Sequence, residues 1–345
     1  MNAAILKEDI EIIVSALRPL SKGLDNSRIF LTGGTGFFGK WMLHSFLGLR
    51  KAHNLNATMT VLSRNPQGFL ESYPEFLKHE GLDFINGDIR TFDISNLHPF
   101  DFVIHAATEA SAKLEQEDPE EMYSVITDGT RHVLDFARQC SAKRFLFISS
   151  GAVYGSQPPS LSHIPETYDG TPSTAYGKGK KISEHLCLDA SADRFECVIA
   201  RPFAFVGPYL PLNTHFAIGN FIRDCLEYRP IIIQGDGTPL RSYMYAADLA
   251  VWLWTILVNG QNCSAYNIGS DQAISIAELA EAISRYFKNR NEIRILHPSD
   301  KTLPQARYIP NVSRAMSELN LKINFNLSQS LEKTIQWYSM KKNKG

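Results

Sequence analysis

Residues 28–40 read RIFLTGGTGFFGK, a short apolar strand that runs into a glycine-rich turn and on into a helical pattern. Gly33, Gly36 and Gly39 are spaced as GxxGxxG, with Thr35, Phe37 and Phe38 between them. Glycine permits a tight turn and lets the backbone approach a pyrophosphate, while a helix N-terminus offers free N–H groups and partial positive charge to the anion. A glycine triplet alone is also ordinary turn chemistry. Between a strand and a helix at the head of a βαβ series, it marks a dinucleotide site formed by Gly33, Thr35, Gly36, Phe37, Phe38 and Gly39.

Working outward from this turn, the series continues. Strand-like TMTVLS, LDFING, DFVIHAA, RFLFISS and CVIAR alternate with helical stretches, the longest at about 119–139 and 176–190. The alternation predicts an α/β protein with a doubly wound parallel sheet of Rossmann type, helices covering both faces. After Arg201 the pattern loosens into Gly- and Pro-rich segments such as FVGPYLPLNTHF and IIIQGDGTPLRSYMY, as expected of loops that wrap a ligand. Helical patterns return near 215–228, 246–259, 274–288 and 327–341. Ahead of the first strand, ILKEDIEIIVSAL (5–17) places Ile5, Leu6, Ile10, Ile13, Val14 and Leu17 at helical spacing and ends before Pro19.

The 345 residues suffice for a large core with a smaller companion domain. With 35 basic against 36 acidic side chains the net charge is −1, which argues against nucleic acid or a membrane surface as partner and for a small molecule. Five cysteines (Cys140, Cys187, Cys197, Cys225, Cys263) form no CxxC pair, so neither a metal site nor a disulfide framework is indicated, and a reducing compartment fits. Lys7, Glu8, Asp9 and Glu11 interrupt what a signal peptide would need as its apolar core, and no apolar run reaches the ~20 residues of a membrane span. The expectation is a soluble, cytoplasmic protein.

The end of the second strand selects the dinucleotide, because an Asp or Glu there hydrogen-bonds the ribose 2′-hydroxyl of NAD. Here it reads VLSRNP, with Ser63 and Arg64 and no acid. A guanidinium favours a 2′-phosphate through charge-assisted hydrogen bonds, so NADP is expected over NAD.

In AYGKGKK (175–181) three lysines follow Tyr176. Positions i and i+4 share a helix face, which makes Lys180 the partner of Tyr176 and leaves Lys178 and Lys181 to solvent or phosphate. Ionising a free tyrosine at pH 7 costs roughly 4 kcal/mol, and a nearby ammonium lowers that cost. Tyr176 could then exchange a proton with a sugar hydroxyl or carbonyl as hydride moves to or from a nicotinamide.

Taken together, TGGTGFFG, GDI (87–89), HAA (105–107), ISSGAVYG (148–155) and YGKGK resemble, in order, the extended short-chain dehydrogenase/reductases that act on nucleotide-diphosphate sugars. The likeness runs from about Ile29 to Tyr338. It implies that the glycines hold the pyrophosphate, that Asp88 and Ile89 border the adenine, and that Ala106 and Ala107 lie along the nicotinamide half. Ser150 would hydrogen-bond the reacting oxygen, Tyr176 would be the acid/base, and Lys180 would bind the nicotinamide ribose. GDGTPLRSYMYAADLA resembles the family's second conserved region, which makes Arg241 a ligand of the sugar diphosphate, with Arg307 in QARYIP and Asn220 as further substrate candidates. The implied organisation is an N-terminal helical extension (1–26), a dinucleotide-binding domain (27–202 with 243–262) and a smaller α/β nucleotide-sugar-binding domain (203–242 with 263–345). Members commonly dimerise through the two long helices, giving a four-helix bundle, so a homodimer is expected.

Departures from the family narrow the reaction. The 4,6-dehydratases carry an Asp-Glu pair directly after the catalytic Ser/Thr, because elimination needs a second acid and base. Here those positions are Gly151 and Ala152, and the glutamate that the related decarboxylases carry in this stretch is also missing. SGAVYG is nearer to the SATVYG of 4-epimerases. Ile126 in VITDGT and Ala204 in RPFAFVGP replace asparagines usual in the family, so substrate placement departs from that of familiar epimerases. The leading reading is a nucleotide-sugar 4-epimerase that oxidises and re-reduces C4. An NADPH-dependent 4-ketoreductase of deoxysugar biosynthesis is the alternative, ahead of a 4,6-dehydratase or a non-catalytic NADP-binding sensor.

Overall fold

The computed structural model describes residues 2–95, 98–108, 112–191, 195–214, 216–288, 291–300, 302 and 304–342. Its centre is a seven-stranded sheet, parallel throughout. Six strands are β1 (Arg28–Thr32), β2 (Thr58–Ser63), β3 (Leu82–Asn86), β4 (Phe102–His105), β5 (Arg144–Ile148) and β6 (Glu196–Pro202), and the seventh is Ser264–Ile268. The spatial order is Ser264–Ile268, β6, β5, β4, β1, β2, β3. Strand order reverses between β1 and β4, and ligands of such sheets bind outside the carboxyl ends of the strands at that point.

Period-two alternation along the strands supplies two cores. Ile29, Leu31, Leu146 and Ile148 face helices Phe37–His53 and Ala246–Asn259, which bring Trp41, Phe46, Trp252 and Trp254. Phe30, Val103, Phe145 and Phe147 face helices Pro119–Gln139 and Ala175–Ala190, which bring Val133, Phe136 and Cys187. Each of these large side chains, fully buried, contributes roughly 1.5–3 kcal/mol.

The N-terminal helix, Asn2–Leu17, lies on the first of these layers. Gly48 gives it room: a Cβ there would stand 2.6 Å from Ile10 Cγ2 and 2.9 Å from Val14 Cγ2. Asp9, fully buried, accepts from Tyr245 Oη at 2.6 Å and pairs with Lys333 Nζ at 3.0 Å, while Lys333 also reaches Glu8 at 2.8 Å.

Beyond the large sheet, short pairings build a second region around its own core of Ile218, Phe221, Ile222, Leu279 and Ile283. Leu240–Arg241 pairs with Ile274–Ser275 and Arg307–Tyr308, and Ile231–Ile233 pairs with Ile293–Ile295. The division expected from sequence needs one correction. Ser264–Ile268, assigned above to the second region, pairs with β6 and closes the large sheet. SAYNI is too short and too mixed to show as a buried strand by pattern alone. Helices Pro66–Ser72, Ala112–Glu117 and Ser313–Leu319 also go beyond the sequence reading.

Candidate active site

The glycine turn leaves β1 at the reversal of strand order, and its three glycines serve different needs. Gly33 has φ +75°, a left-handed conformation, and a Cβ there would lie 2.5 Å from the backbone of Ala106 and Ala107. At Gly39 a Cβ would lie 2.4 Å from the Gly33 carbonyl oxygen and the Gly34 backbone, so a side chain would push the helix off the turn. Gly36 is exposed, and a Cβ there would meet only the Gly33 oxygen, at 3.4 Å. Nothing in the protein itself requires that glycine, whereas a closely approaching pyrophosphate would.

The ends of β1 and β4 are tied together by His105. Its Nδ1 lies 2.8 Å from Thr32 Oγ1 and its Nε2 3.2 Å from Thr130 Oγ1, and the Ala107 N–H donates to Thr32 Oγ1 at 3.1 Å. Burial, with the charge of Lys180 nearby, lowers the imidazole pKa to about 3, so it is a neutral strut that fixes Ala106 and Ala107 under the turn.

At the carboxyl end of β2, Ser63 is half-buried and Arg64 exposed, with Asp88 close enough that Arg64 helps to lower its pKa. The main cause is hydrogen bonding from Arg90, whose Nε reaches Asp88 Oδ1 at 3.1 Å while its Nη1 reaches Glu121 at 2.9 Å. Ile89 is seated against Gly129 of helix Pro119–Gln139, where a Cβ would lie 2.5 Å from its Cδ1.

Tyr176 and Lys180 stand at the start of helix Ala175–Ala190. Thr174 caps it by accepting from Gly177 N at 3.0 Å, and Glu115 accepts from the Ala175 and Tyr176 N–H groups at 2.7 and 2.9 Å. Lys180 is buried, donates to the Ile148 carbonyl at 2.8 Å, and holds its Nζ 5.9 Å from the centre of the Tyr176 ring. Of the three lysines this one faces the tyrosine. Lys178 is exposed, and Lys181 is engaged with Asp169 (2.5 Å) and the Gly170 carbonyl (2.6 Å). Burial lowers the Lys180 pKa to about 7, partly offset by Cys187 and Glu184, and burial raises that of Tyr176, offset by a hydrogen bond with Ser150.

Ser150 follows β5 as the cap of the turn Gly151–Tyr154, its Oγ accepting from Ala152 N at 3.1 Å. Behind it stands a buried network that the sequence reading did not contain. Arg201 Nε and Nη2 fork onto Glu184 at 2.9 and 2.7 Å, and its Nη1 donates to Tyr154 Oη at 2.8 Å. Tyr154 donates to Asn267 Oδ1 at 2.7 Å, and Ser149 donates to Glu184. Glu184 lies four residues after Lys180, so Tyr176, Lys180 and Glu184 form one helix stripe that i, i+4, i+8 spacing could have revealed.

The substrate-side candidates are not treated alike. Arg241 and Tyr308 are register partners on neighbouring strands, with the guanidinium 6.0 Å from the Tyr308 ring centre. Tyr308, absent from the sequence reading, brings its hydroxyl to within 2.5 Å of a notional Cβ at Gly151, and alternation along the strand turns Arg307 to the opposite face. Asn220 is half-buried and accepts from Arg223 Nη1 at 3.1 Å. Ile126, in place of an asparagine, packs against Gly179 of helix Ala175–Ala190 at 3.3 Å from its notional Cβ.

A doubly wound parallel sheet with a glycine turn at its reversal point defines a dinucleotide-dependent enzyme fold. Residues 29–269 match the family model for the NAD dependent epimerase/dehydratase family, and the chain belongs to that family. It is 28% identical over 322 residues to UDP-glucuronic acid decarboxylase 1 of Danio rerio, covering 91% of this chain and 73% of that one. With UDP-N-acetyl-alpha-D-glucosaminuronate decarboxylase of Bacillus cytotoxicus it shares 26% identity, covering 90% of this chain and 97% of the relative. The fold is similar to that of UDP-N-acetylglucosamine 4-epimerase from Methanobrevibacter ruminantium (TM-score 0.80, 21% identity, 92% of this chain and 99% of that one). It is similar too to dTDP-glucose 4,6-dehydratase from Bacillus anthracis (TM-score 0.76, 19% identity, 92% and 98%). Among the described residues no helix is long and apolar enough to cross a membrane.

Proposed function

We propose that this enzyme is a nucleotide-diphosphate-sugar 4-epimerase. In this reading Tyr176 would take the proton of the C4 hydroxyl during oxidation of the sugar and give it back when the keto sugar is reduced on its other face. The dinucleotide supplies hydride acceptance and donation. This chain would hold it through the Gly33–Gly39 turn, Asp88, Ile89 and the Ala106–Ala107 ledge, with Lys180 serving the nicotinamide ribose and Arg241 the sugar diphosphate.

The observation that carries this choice is the tract after Ser150. The relatives with decarboxylase names favour a UDP-linked substrate, but Gly151 and Ala152 can move no proton, and the space at Gly151 is taken by Tyr308, whose hydroxyl lies 2.5 Å from a notional Cβ there. A reaction confined to hydride and proton transfer at C4 needs no second acid and base. A 4-ketoreductase using NADPH has the same requirement, and the Ser63–Arg64 end of β2, with no carboxylate, favours it.

Purified enzyme incubated with a panel of UDP- and dTDP-sugars separates the readings. An epimerase interconverts C4 epimers on retained cofactor with no added NADPH; a ketoreductase consumes NADPH only with a 4-keto sugar. Full activity of Tyr176→Phe on the converted substrate would refute both. Supporting expectations are a cytoplasmic location, in line with five cysteines of which none is disulfide-bonded, and a homodimer through helices Pro119–Gln139 and Ala175–Ala190, where Tyr123 and Ile182 are exposed. A monomer mass in light scattering would refute the dimer.

A further inference from the structure

Lys180 and Glu184 stand four residues apart on one helix, both buried, and yet they form no ion pair. Opposite charges at i and i+4 ordinarily meet, and helix geometry tilts the Glu184 side chain toward the N-terminus, which is toward Lys180. Among the described residues no carboxylate lies within 4.0 Å of the Lys180 ammonium. Its bond goes instead to the Ile148 carbonyl at 2.8 Å, with Nζ 4.9 Å from the centre of the Phe147 ring and 5.9 Å from that of Tyr176. An ammonium has three N–H donors, so two of them have no acceptor among the described residues.

What holds the carboxylate away is Arg201. Its Nε reaches Glu184 Oε1 at 2.9 Å and its Nη2 reaches Oε2 at 2.7 Å, so both oxygens are occupied, and Ser149 Oγ donates to Oε1 as well. The guanidinium is itself pinned, because Nη1 donates to Tyr154 Oη at 2.8 Å and to the Glu166 carbonyl at 3.1 Å, and its carbon lies 4.9 Å from the Tyr154 ring centre. We propose that Arg201 is a positioning residue that acts through Glu184: by holding both carboxylate oxygens it keeps Glu184 from closing on Lys180, and so leaves the ammonium two N–H groups for the dinucleotide. Glu184 has its own task, fastening Ser149, the neighbour of Ser150, to helix Ala175–Ala190. A carboxylate one turn from Lys180 would capture it without a permanent, bidentate cation on the other side. The inference rests on the reading of Lys180 as the residue that serves the nicotinamide ribose, and deepens it by naming what keeps that lysine available.

The test needs no sugar. The Kd of NAD or NADP is measured by fluorescence titration for wild type, Lys180→Met, Arg201→Met, Arg201→Met/Glu184→Gln and Arg201→Met/Lys180→Met. Arg201→Met frees Glu184 to take Lys180 and should weaken binding about tenfold, the worth of one charge-assisted hydrogen bond. Adding Glu184→Gln should recover most of that loss, to within about threefold of wild type, because an amide has no charge with which to capture the ammonium. A role confined to packing predicts no such rescue, since the double variant lacks the same fork. In the Lys180→Met background Arg201→Met should weaken binding no further. Unchanged binding in Arg201→Met, a double variant as weak as Arg201→Met, or an equal loss with and without Lys180 overturns the proposal. If the stranded carboxylate keeps Arg201→Met from folding, Arg201→Met/Glu184→Gln, which strands no charge, decides: binding near wild type supports the proposal and a tenfold loss overturns it. If Lys180→Met binds as wild type does, the ribose reading falls and the proposal with it; if Lys180→Met is weakened and the Arg201 variants go against expectation, only the proposal falls.

Discussion

Replacing Lys180 with methionine should stabilise the cofactor-free protein, and by an amount that depends on pH. The ammonium is buried, with its pKa near 7 in the fold against 10.5 in an exposed chain. A lowered lysine pKa means that between these values the unfolded chain binds more protons than the native one, so this group's penalty is full below about pH 7 and fades as pH rises toward 10.5. At pH 6 the mismatch of about 3.5 units costs ~5 kcal/mol, and at pH 9 the remaining mismatch of about 1.5 units costs ~2 kcal/mol. Methionine removes this cost and loses the bond to the Ile148 carbonyl, a pH-independent debit of about 1 kcal/mol. The stability advantage of Lys180→Met should therefore shrink by ~3 kcal/mol between pH 6 and pH 9, or about 4 °C in Tm for a chain of this length. Thermal or urea unfolding of cofactor-stripped wild type and variant at both pH values measures it. An advantage that stays constant, or grows with pH, would refute the buried-ammonium argument. Activity should be lost throughout, since the destabilising residue is the one proposed to hold the nicotinamide ribose.

The two glycines at the turn should separate stability from binding. Gly39→Ala, with a methyl 2.4 Å from backbone, should cost about 2 kcal/mol or more in urea unfolding, whereas Gly36→Ala should cost under ~1 kcal/mol yet weaken cofactor binding at least about tenfold by calorimetry. Equal stability losses would contradict the division of roles. Glu184→Ala strands the buried Arg201 guanidinium and should cost ~3–5 kcal/mol in chemical denaturation; a loss under ~1 kcal/mol would show that the network is not load-sharing. Arg64→Ala should weaken NADP binding about tenfold and leave NAD unchanged in fluorescence titration, and an unchanged NADP constant would remove the case for that cofactor.

How far the sequence could be read depended on the range of the interactions involved. The RIFLTGGTGFFGK turn, the order of β1 to β6, helix Pro119–Gln139 and the Tyr176–Lys180 pairing are local in pattern, and local pattern carries them. Tyr308 is 158 positions beyond Ser150 on a two-residue strand with no periodicity of its own, and only the small size of Gly151 hinted that something else fills that space. Arg201 could be read as part of a strand, but its fork onto Glu184 requires knowing that β6 runs beneath helix Ala175–Ala190. Arg241 and Arg307, both placed on a diphosphate by resemblance, are distinguished once strand alternation is known.

The N-terminal helix bears on synthesis as well as structure. Asp9 is buried against Tyr245 and Lys333, so this helix holds a carboxylate whose partners follow 236 and, for Lys333, more than 300 residues later in the chain. At ~5–20 residues per second that is tens of seconds in which Asp9 lacks both partners, while the apolar face beside it can already meet helix Phe37–His53. The Asp9–Lys333 pair can form only once helix Leu327–Lys342 has been made, so a nascent-chain chaperone would be expected to act on this segment, and loss of either helix would cost the same contact.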